Sequence, residues 1–429
     1  MNKNLILLHK KEKESLISKQ YIIREKIKTF KSNLENNLIK IISGPRHAGK
    51  SVFCLELLKD TEFAYLNFDD ENLLKIQDYD IIEPLMREVY PNYKYIFFDE
   101  IQNLPGWELF INKLHRRGAN LIITGSNAKM LAKEMATSLT GRYVATEIFP
   151  FSFREYLIAK NFELSHNSIN EPEKKALLIS YLDDYIINGG FPETVLNKID
   201  TRNYLSTLFD AVIFKDVAAR HKIRAPKDIY NIAIFMLSNP TCELSYKKIT
   251  KFTGLRSTAT LIKYISYLEE AYLFQILNRF SFKVKKQINS PKKIFVTDNG
   301  YIHASAISAT PNKGHLVENV YYTEMLRRGY KQNRDIFYYR SDSGVEIDFV
   351  LKRGTNIEKL VQICLDVNNP VTLEREIKPL VSQANHLNCE NLEIITWDNE
   401  GEEKLKGKRI KITPLWKVLI EDCVEKQVG

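Results

Sequence analysis

Residues Gly44 to Ser51 read Gly-Pro-Arg-His-Ala-Gly-Lys-Ser, which is the G-x-x-x-x-G-K-[ST] spacing of a phosphate-binding loop. In such a loop Lys50 contacts the β- and γ-phosphates, and the Ser51 hydroxyl holds Mg²⁺. The residues expected to contact a nucleotide are Gly44, Pro45, Arg46, His47, Ala48, Gly49, Lys50, Ser51 and Val52. The alternative is an ordinary glycine turn that happens to carry a lysine.

A second motif places two carboxylates after an apolar run, in Tyr95-Ile96-Phe97-Phe98-Asp99-Glu100. Asp99 is expected to hold Mg²⁺ at the carboxyl end of a strand, where open α/β sheets bind their ligands. Glu100 follows directly and could orient and polarise an attacking water, which favours hydrolysis over storage of a nucleotide. The alternative is an acidic pair that caps a helix.

The elements that must position these residues alternate between strand and helix. The branched run 38–42 predicts a buried strand before the loop, and 52–58 predicts the helix after it. That order directs backbone N–H groups and the positive end of a helix at one point. Further strands are predicted at 63–68, 120–127 and 143–148. The alternation from about 20 to 160 predicts a parallel sheet with helices on both faces, with Ser126 or Asn127 close to the γ-phosphate or the water.

With these segments in view, the chain resembles the AAA-type ATP-binding proteins of bacteria and archaea that carry a nuclease-like domain at the C-terminus. The resemblance rests on GPRHAGKS, YIFFDE, ITGSNA, SLTGRYVATEIFPFSFREY and GGFPE at 189–193. It implies ATP as the nucleotide, a polar sensor role for Asn127, and a phosphate-contacting role for Arg142. If Arg142 acts on a neighbouring subunit, the protein is a homo-oligomer. The alternative for Arg142 is a solvated loop arginine.

The middle of the chain predicts helices, then a helix–turn–helix. The resemblance implies that the helical part, 161–235, is a lid on the ATPase core at 20–160. Residues 236–300 fit a winged helix, in which Ser245 and Ser257 begin two helices and Leu261, Ile262, Ile265 and Leu268 form the buried side of the second. The face expected to be exposed carries Thr258, Thr260, Lys263 and Tyr264.

Six basic residues and no acidic one lie between positions 279 and 293, namely Arg279, Lys283, Lys285, Lys286, Lys292 and Lys293. Phe280 and Phe282 are interleaved with them. Cations at a DNA backbone gain affinity by releasing counterions, so DNA is the expected partner. The alternative is a winged helix that contacts protein and carries a solvated basic hairpin.

The last predicted domain, 312–422, resembles the PD-(D/E)xK nuclease fold. Its candidate remnant site comprises Glu318, Glu346, Asp348 and Gln362. Active members place an acid and a lysine on the third element, but here Gln362 and Cys364 occupy those positions, and no nearby lysine has the right spacing. A neutral amide brings no charge to a hard cation, so the domain is expected not to cut nucleic acid.

Composition sets wider bounds. The 429 residues carry a net charge of +9 and 44% hydrophobic residues, as expected for a globular chain of two to four domains. The cysteines Cys54, Cys242, Cys364, Cys389 and Cys423 form no C-x-x-C pair, which argues for reduced thiols and against a zinc site. With no apolar run long enough for a signal peptide or a membrane span, the sequence predicts a cytoplasmic protein.

The expected fold class is therefore α/β, a P-loop parallel-sheet ATPase core with a helical lid, a winged helix and a C-terminal α/β nuclease-like domain. The expected function is Mg²⁺-dependent ATP hydrolysis on or with DNA. Two alternatives stay open, namely a nucleotide-governed switch that captures another protein and an ATP-dependent nuclease.

Overall fold

The computed structural model describes residues 3–127, 141–164, 171–255, 257–307 and 312–421. Ala128, residues 138–140 and Cys423, which the sequence interpretation used, lie outside this range. The chain forms two compact units. The first comprises Met1–Phe151 together with Glu270–Tyr272, and the second comprises Ser152–Glu269 and Leu273–Gly429.

The first unit contains a five-stranded parallel sheet. Its strands are β1 Ile39–Ser43, β2 Phe63–Asn67, β3 Tyr95–Asp99, β4 Leu121–Gly125 and β5 Tyr143–Glu147. They lie in the order β2-β3-β4-β1-β5. The strands that lead into the two motifs, β1 and β3, therefore flank β4 on its two sides, and the carboxyl ends of all three meet at one edge.

Both faces of this sheet are covered, because successive strand residues alternate between two apolar clusters. Ile41, Leu66 and Ile123 pack in one cluster, whereas Ile42 and Ile122 pack in the other. The helices are α1 Lys3–Ile17, α2 Lys26–Phe30, α3 Lys50–Leu58, α4 Glu71–Leu74, α5 Ile82–Val89 and α6 Trp107–Arg116, with 3₁₀ turns at Lys31–Glu35, Tyr79–Ile81 and Ile101–Asn103. The predicted parallel sheet with helices on both faces is confirmed.

One side chain of β1 departs from this apolar pattern. Lys40 is fully buried, and its ammonium donates to the Asn36 carbonyl rather than to a carboxylate. Burial lowers the pKa of Lys40 to about 8. A strand that leads into the phosphate loop therefore contains a lysine that folding disfavours in its charged form.

The second unit begins with helices and contains a six-stranded mixed sheet. The helices are α7 Phe153–Ala159, α8 Pro172–Asn188, α9 Pro192–Leu196, α10 Thr201–Ala211 with a π-helical continuation Val212–Ala219, and α11 Pro226–Leu237. The strands are β8 Ile336–Arg340, β9 Glu346–Arg353, β10 Asn356–Ile363, β11 Leu392–Thr396, β12 Gly401–Leu405 and β13 Lys408–Pro414, in the order β12-β13-β11-β10-β9-β8. This second α/β region agrees with the predicted fold class.

Along the chain, the segment that the sequence predicts to be a winged helix lies between α11 and β8. Its helices α12 Tyr246–Thr253 and α13 Thr258–Glu270 are followed by the antiparallel pair β6 Phe274–Asn278 and β7 Lys292–Val296, with the short helix α14 Val284–Asn289 between the strands. Ser245 and Ser257 accept the expected N-terminal hydrogen bonds. The prediction that Ile262 lies on the buried side of α13 is wrong, because this residue is 48% exposed to solvent.

The remaining helices are α15 Asn299–Ser305, α16 Lys313–Arg327, α17 Pro370–Ala384 and α18 Leu415–Ile420. Within the described ranges, no helix is long and apolar enough to cross a membrane. The described cysteines Cys54, Cys242, Cys364 and Cys389 are free.

Candidate functional site

The phosphate loop is built from backbone conformations that its glycines permit. Gly44 has φ +148°, and a Cβ there would lie 2.1 Å from the Ile148 carbonyl oxygen. Gly49 has φ +89° and directly precedes α3. The guanidinium of Arg24 is buried and donates to the Ala48 carbonyl at 2.8 Å and to the Phe149 carbonyl at 2.5 Å. The loop is therefore held in shape before any ligand arrives.

Lys50 lies in the first turn of α3 and is 3% exposed. Its ammonium donates to the Pro45 carbonyl at 3.0 Å, and the same nitrogen lies 3.5 Å from Glu100 Oε1. The lysine therefore contacts the loop that would surround a phosphate, and among the described residues Glu100 is the carboxylate that forms an ion pair with it. A triphosphate can compete with one carbonyl and one carboxylate for this ammonium, because charge-assisted hydrogen bonds to phosphate are strong.

Ser51 and Asp99, the two residues that the sequence predicts to hold Mg²⁺, lie next to each other. The Ser51 hydroxyl donates to Asp99 Oδ1 at 3.0 Å, and the Thr124 hydroxyl donates to the same oxygen. Burial, together with the neighbouring Glu100, raises the pKa of Asp99 to about 6. A carboxylate beside a hydroxyl, facing the edge of the sheet, is a donor set that suits Mg²⁺, which prefers oxygen ligands.

Glu100 follows β3 in an unusual backbone conformation. Its φ of 49° lies in the left-handed region, which costs a non-glycine residue about 1 kcal/mol or more and is often found at functional sites. Its amide donates to Thr124 Oγ1 at 2.9 Å, and its carboxylate accepts from Gln102. Burial alone would raise the pKa of Glu100, but Lys50 beside it, with Gln102 and Arg46, holds that pKa below its ordinary value. The strained backbone places an ionised carboxylate next to the phosphate loop.

Asn127 and Arg142 lie at opposite ends of the strands, Asn127 at the carboxyl end of β4 and Arg142 at the amino end of β5. Asn127 is 1% exposed and follows β4, whose Gly125 pairs with Ser43 at the end of β1. Arg142 precedes β5, and its carbonyl accepts from the Ile39 amide at the start of β1. A five-residue strand is about 15 Å long, so Arg142 lies roughly that far from the loop of its own chain. Its exposed guanidinium donates to Asn112 Oδ1 at 3.1 Å.

Three residues support the site without having been predicted. Thr124 connects Asp99 with the Glu100 amide, Arg24 holds the loop, and the Tyr272 hydroxyl lies 2.9 Å from Ser43 Oγ and 2.8 Å from Glu147 Oε1. Thr124 lies within the ITGSN segment, so a polar residue on an apolar strand was the available signal. Arg24 and Tyr272 reach the site from distant positions in the sequence, which no local pattern reveals.

A second cluster of charged groups lies in the other unit, around Lys293 at the second position of β7. Its ammonium lies 2.7 Å from Glu346 Oε1, 3.0 Å from Glu318 Oε1 and 3.5 Å from Asp348 Oδ1. The Lys293 side chain is only 5% exposed. The three carboxylates predicted as a remnant site are thus brought together. The lysine that the sequence interpretation failed to find is supplied by another element.

The members of this cluster shift one another's pKa values. Burial opposes the charge on Lys293, but Glu318, Asp348 and Glu346 outweigh it and raise the pKa of the lysine. Burial raises the pKa of Glu318 to about 7 and also raises that of Asp348. Gln362 directly follows Val361 on β10, which pairs with Phe349 on β9, and its Nε2 donates to Glu376 at 3.0 Å. No group of acidic, histidine or cysteine side chains among the described residues has the arrangement of a metal site.

These contacts correct the expected DNA-binding surface. Lys293 was wrongly placed on it, because the lysine is buried and neutralised by carboxylates. Arg279 and Lys286 both form ion pairs with Asp342. Lys283 and Lys285 are exposed and Lys292 is half-buried, so the basic surface is smaller than the sequence suggests.

Comparison with known proteins agrees with the geometry of the first site. Residues 36–157 match the model of an AAA domain family, and this range contains both the phosphate loop and the acidic pair. Residues 179–312 and 313–363 match two domains of unknown function, DUF8612 and DUF4143. Lys293 belongs to the first of these and the three carboxylates to the second.

The chain also has relatives over most of its length. It is 37% identical over 432 residues to the uncharacterized protein MJ1544 of Methanocaldococcus jannaschii, covering 94% of both chains, and it belongs to the same family. It is 30% identical to an uncharacterized protein of Haemophilus influenzae, over 82% of this chain and 88% of the relative. Among solved structures, the Walker-type ATPase PABY2304 of Pyrococcus abyssi aligns with a TM-score of 0.42 at 12% identity, over 67% of this chain and 99% of that one.

Proposed function

We propose that this protein is an ATPase that binds ATP with Mg²⁺ and hydrolyses it. The observation that carries the proposal is the meeting of the two motifs, in which Ser51 lies 3.0 Å from Asp99 and Lys50 lies 3.5 Å from Glu100. Both pairs lie at the edge of the sheet where the strands end. The AAA domain assignment over 36–157 supports the same conclusion.

Each residue has a distinct part in the proposed reaction. Lys50 leaves Glu100 and contacts the β- and γ-phosphates, while loop amides and the start of α3 surround the phosphate oxygens. Ser51 and Asp99 hold Mg²⁺, which, when bound, neutralises charge on the phosphates. Glu100, freed from Lys50, accepts a hydrogen bond from the attacking water, and Asn127 contacts the γ-phosphate or that water.

The direct test is calorimetry with ATP and Mg²⁺, followed by a turnover assay with ATP and GTP in parallel. The proposal expects ATP binding and release of phosphate. Purified protein that binds no nucleoside triphosphate would overturn it. Binding without turnover would leave nucleotide recognition in place and remove the assigned role of Glu100.

We further propose that the protein acts on or with DNA. The net charge of +9, the helix–turn–helix order of α12 and α13, and the exposed Lys263, Lys283 and Lys285 support this. The test measures ATP turnover with and without duplex DNA, together with DNA binding at several salt concentrations. Unchanged turnover and no salt-dependent binding would reject a DNA partner.

A second candidate is a nucleotide-governed switch that captures another protein, and one observation favours it. Phe282, Val284 and Ile288, at and within α14, are 65%, 68% and 61% exposed, so the surface near the basic residues is also apolar. Exposed apolar groups gathered in one place are typical of protein interfaces. Slow ATP turnover that DNA does not change would favour this candidate over the DNA-directed ATPase.

A nuclease is the least supported alternative. Gln362 and Cys364 stand where active relatives of the resembled fold have an acid and a lysine. Labelled DNA incubated with Mg²⁺ or Mn²⁺ tests this directly, and we expect the substrate to stay intact. Cleavage that is lost in Asp348→Asn would overturn that expectation.

A further inference from the structure

Helix α13 ends on a tyrosine at a position that favours glycine. The Leu273 amide donates to the Leu268 carbonyl at 3.1 Å, which is a hydrogen bond of the Schellman motif, and Tyr272 is the left-handed residue of that motif, with φ 57°. Two other helices, α6 and α16, end in the same motif with Gly118 and Gly329 at this position. A side chain costs free energy in this conformation, so Tyr272 calls for an explanation beyond ending the helix.

The side chain of Tyr272 lies buried at the start of the phosphate loop. The residue is 4% exposed, and its hydroxyl lies 2.9 Å from Ser43 Oγ and 2.8 Å from Glu147 Oε1. Ser43 and Glu147 are the last residues of β1 and β5, and they lie opposite each other in the pairing of these strands. One hydroxyl therefore connects two strand ends directly before Gly44.

The first residue of the loop packs closely against the residue that follows β5. The Ser43 carbonyl accepts from the Ile148 amide at 2.8 Å, and a Cβ on Gly44 would lie 2.1 Å from the Ile148 carbonyl oxygen. The loop can therefore shift little unless the ends of β1 and β5 move with it. Burial, together with the nearby Glu147, raises the pKa of the Tyr272 hydroxyl, so the hydroxyl stays protonated and can donate.

The same tyrosine belongs to the turn that ends α13, the second helix of the helix–turn–helix order. Glu270 is the last residue of α13, and Tyr272 follows two positions later. Residues Glu270–Tyr272 belong to the first unit, whereas the preceding residues of the helix belong to the second. The chain thus leads from this helix to the phosphate loop through one turn and one hydroxyl.

We propose that Tyr272 is a positioning residue that couples the phosphate loop to α13, so that nucleotide binding stabilises the end of this helix. The inference rests on the proposed function only in that the loop binds ATP, and it requires neither hydrolysis nor DNA. A nucleotide that orders the loop fixes Ser43, and the Tyr272 hydroxyl passes that order to the turn at 268–273. Because coupling free energies are reciprocal, a partner that binds α13 and stabilises its end changes nucleotide affinity by the same factor.

Hydrogen–deuterium exchange with the non-hydrolysable analogue AMP-PNP and Mg²⁺ tests the coupling in the full chain. At about ten times the Kd of each variant for the analogue, exchange in the wild type should slow by up to about tenfold at 43–50 and also at 268–273. In Tyr272→Phe the protection should persist at 43–50 and be lost at 268–273. The matched control is Tyr330→Phe, which removes a 2.9 Å hydrogen bond between a tyrosine and Glu358 in the second unit and should keep both effects.

Nucleotide affinity separates a positioning role from a purely structural one. Tyr272→Phe should raise the Kd and the KM for ATP by about tenfold and change kcat by less than about twofold, because the loop holds the phosphates alike in the ground state and the transition state. Ser43→Ala should act in the same direction, and adding it to Tyr272→Phe should weaken binding little further, because both changes remove the same contact. Tyr330→Phe should leave Kd and KM unchanged.

The possible failures can be told apart. Wild-type protein that binds AMP-PNP without slower exchange at 268–273 would overturn this inference alone, and that measurement needs no variant. Protection at 268–273 that survives in Tyr272→Phe, or an unchanged ATP affinity in that variant, would overturn it as well. Wild-type protein that binds no AMP-PNP would overturn the proposed ATPase together with this inference.

Discussion

Two buried lysines of this chain face carboxylates, but they are held in different ways. Lys50, in the first unit, has one carboxylate at 3.5 Å and a loop carbonyl at 3.0 Å. Lys293, in the second, has three carboxylates within 3.5 Å. The first lysine can exchange its partners for a triphosphate, whereas movement of the second would leave the buried carboxyl groups of Glu318 and Asp348 without their cation.

The difference shows that burial of a lysine near acids does not by itself define a ligand site. What matters is how many anions would be left uncompensated when the lysine moves. Around Lys50, Ser51 and Thr124 hydrogen-bond to Asp99, so that carboxylate does not depend on the lysine alone. The following five experiments test this contrast, from the largest expected effect to the smallest.

The largest effect is expected for Lys50→Ala, which should reduce ATP affinity below detection in calorimetry. The phosphates lose their only assigned ammonium, and charge-assisted hydrogen bonds are the strongest that the site can offer. Lys59→Ala is the matched control, because that lysine lies just after α3 and pairs with Glu56 on the surface. Unchanged affinity in Lys50→Ala would remove the contrast between the two lysines.

Glu100→Gln should keep ATP binding and reduce turnover by about 10²–10⁴-fold, because the amide cannot accept a proton from water. Initial rates of phosphate release and ATP affinity are measured side by side. Glu108→Gln, on α6, serves as the control. Turnover equal to that of the wild type would mean that Glu100 only balances Lys50, as Glu346 does for Lys293.

Arg142→Ala should slow turnover by about 10–100-fold and change affinity little, since an added positive charge acts mainly on the transition state. The residue lies at the amino end of β5, away from the phosphate loop of its own chain, so the proposed phosphate contact requires a neighbouring chain. Mixing Arg142→Ala with Lys50→Ala protein should therefore restore part of the activity. Failure to restore any activity would argue against shared sites.

Thr124→Val should reduce turnover by about tenfold without preventing folding, because Asp99 and the Glu100 amide both lose their shared hydroxyl. Thr124→Ser restores the hydroxyl and should restore the rate. A valine variant as fast as the wild type would show that the strained Glu100 backbone is held by other contacts.

The smallest effect is expected at Lys40, a buried lysine that donates to a carbonyl. Its folded-state pKa of about 8 lies below its ordinary value of 10.5. The unfolded chain binds more protons between these values, so stability rises as pH increases through that window. Relative to Lys40→Met, the wild type should gain about 1 kcal/mol from pH 7 to pH 9. A difference that does not change with pH would contradict the assignment.

The sequence was sufficient for the first unit because its signals are local. The glycine spacing at 44–51 and the apolar run before Asp99 each specify a strand end, and parallel strands bring their carboxyl ends to one edge. Ser51 and Asp99, which were both assigned to Mg²⁺, share a 3.0 Å hydrogen bond, and their metal-binding role stays a prediction. The roles of Asn127 and Arg142 stay predictions.

The second unit was harder because its central contact is not local. Alternation within β9 was enough to place Glu346 and Asp348 on one face, but Lys293 lies 53 positions before Glu346 and in a run that reads as a basic surface. In the structure Lys293 lies in β7, and its side chain contacts carboxylates of α16 and β9. The sequence therefore revealed the acids and misassigned their cation, and the winged helix and nuclease-like fold stay predictions.

Residues Glu270–Tyr272 belong to the first unit although their sequence neighbours on both sides belong to the second. Tyr272 contributes its hydroxyl next to Ser43, the residue that precedes the phosphate loop. A recombination event with one breakpoint between 152 and 269 would transfer the phosphate loop without Tyr272, whose hydroxyl hydrogen-bonds to Ser43. The first unit is therefore discontinuous in the sequence. An exchange of the first unit between proteins has to include residues 270–272 as well as the N-terminal 151 residues if Tyr272 is to be kept.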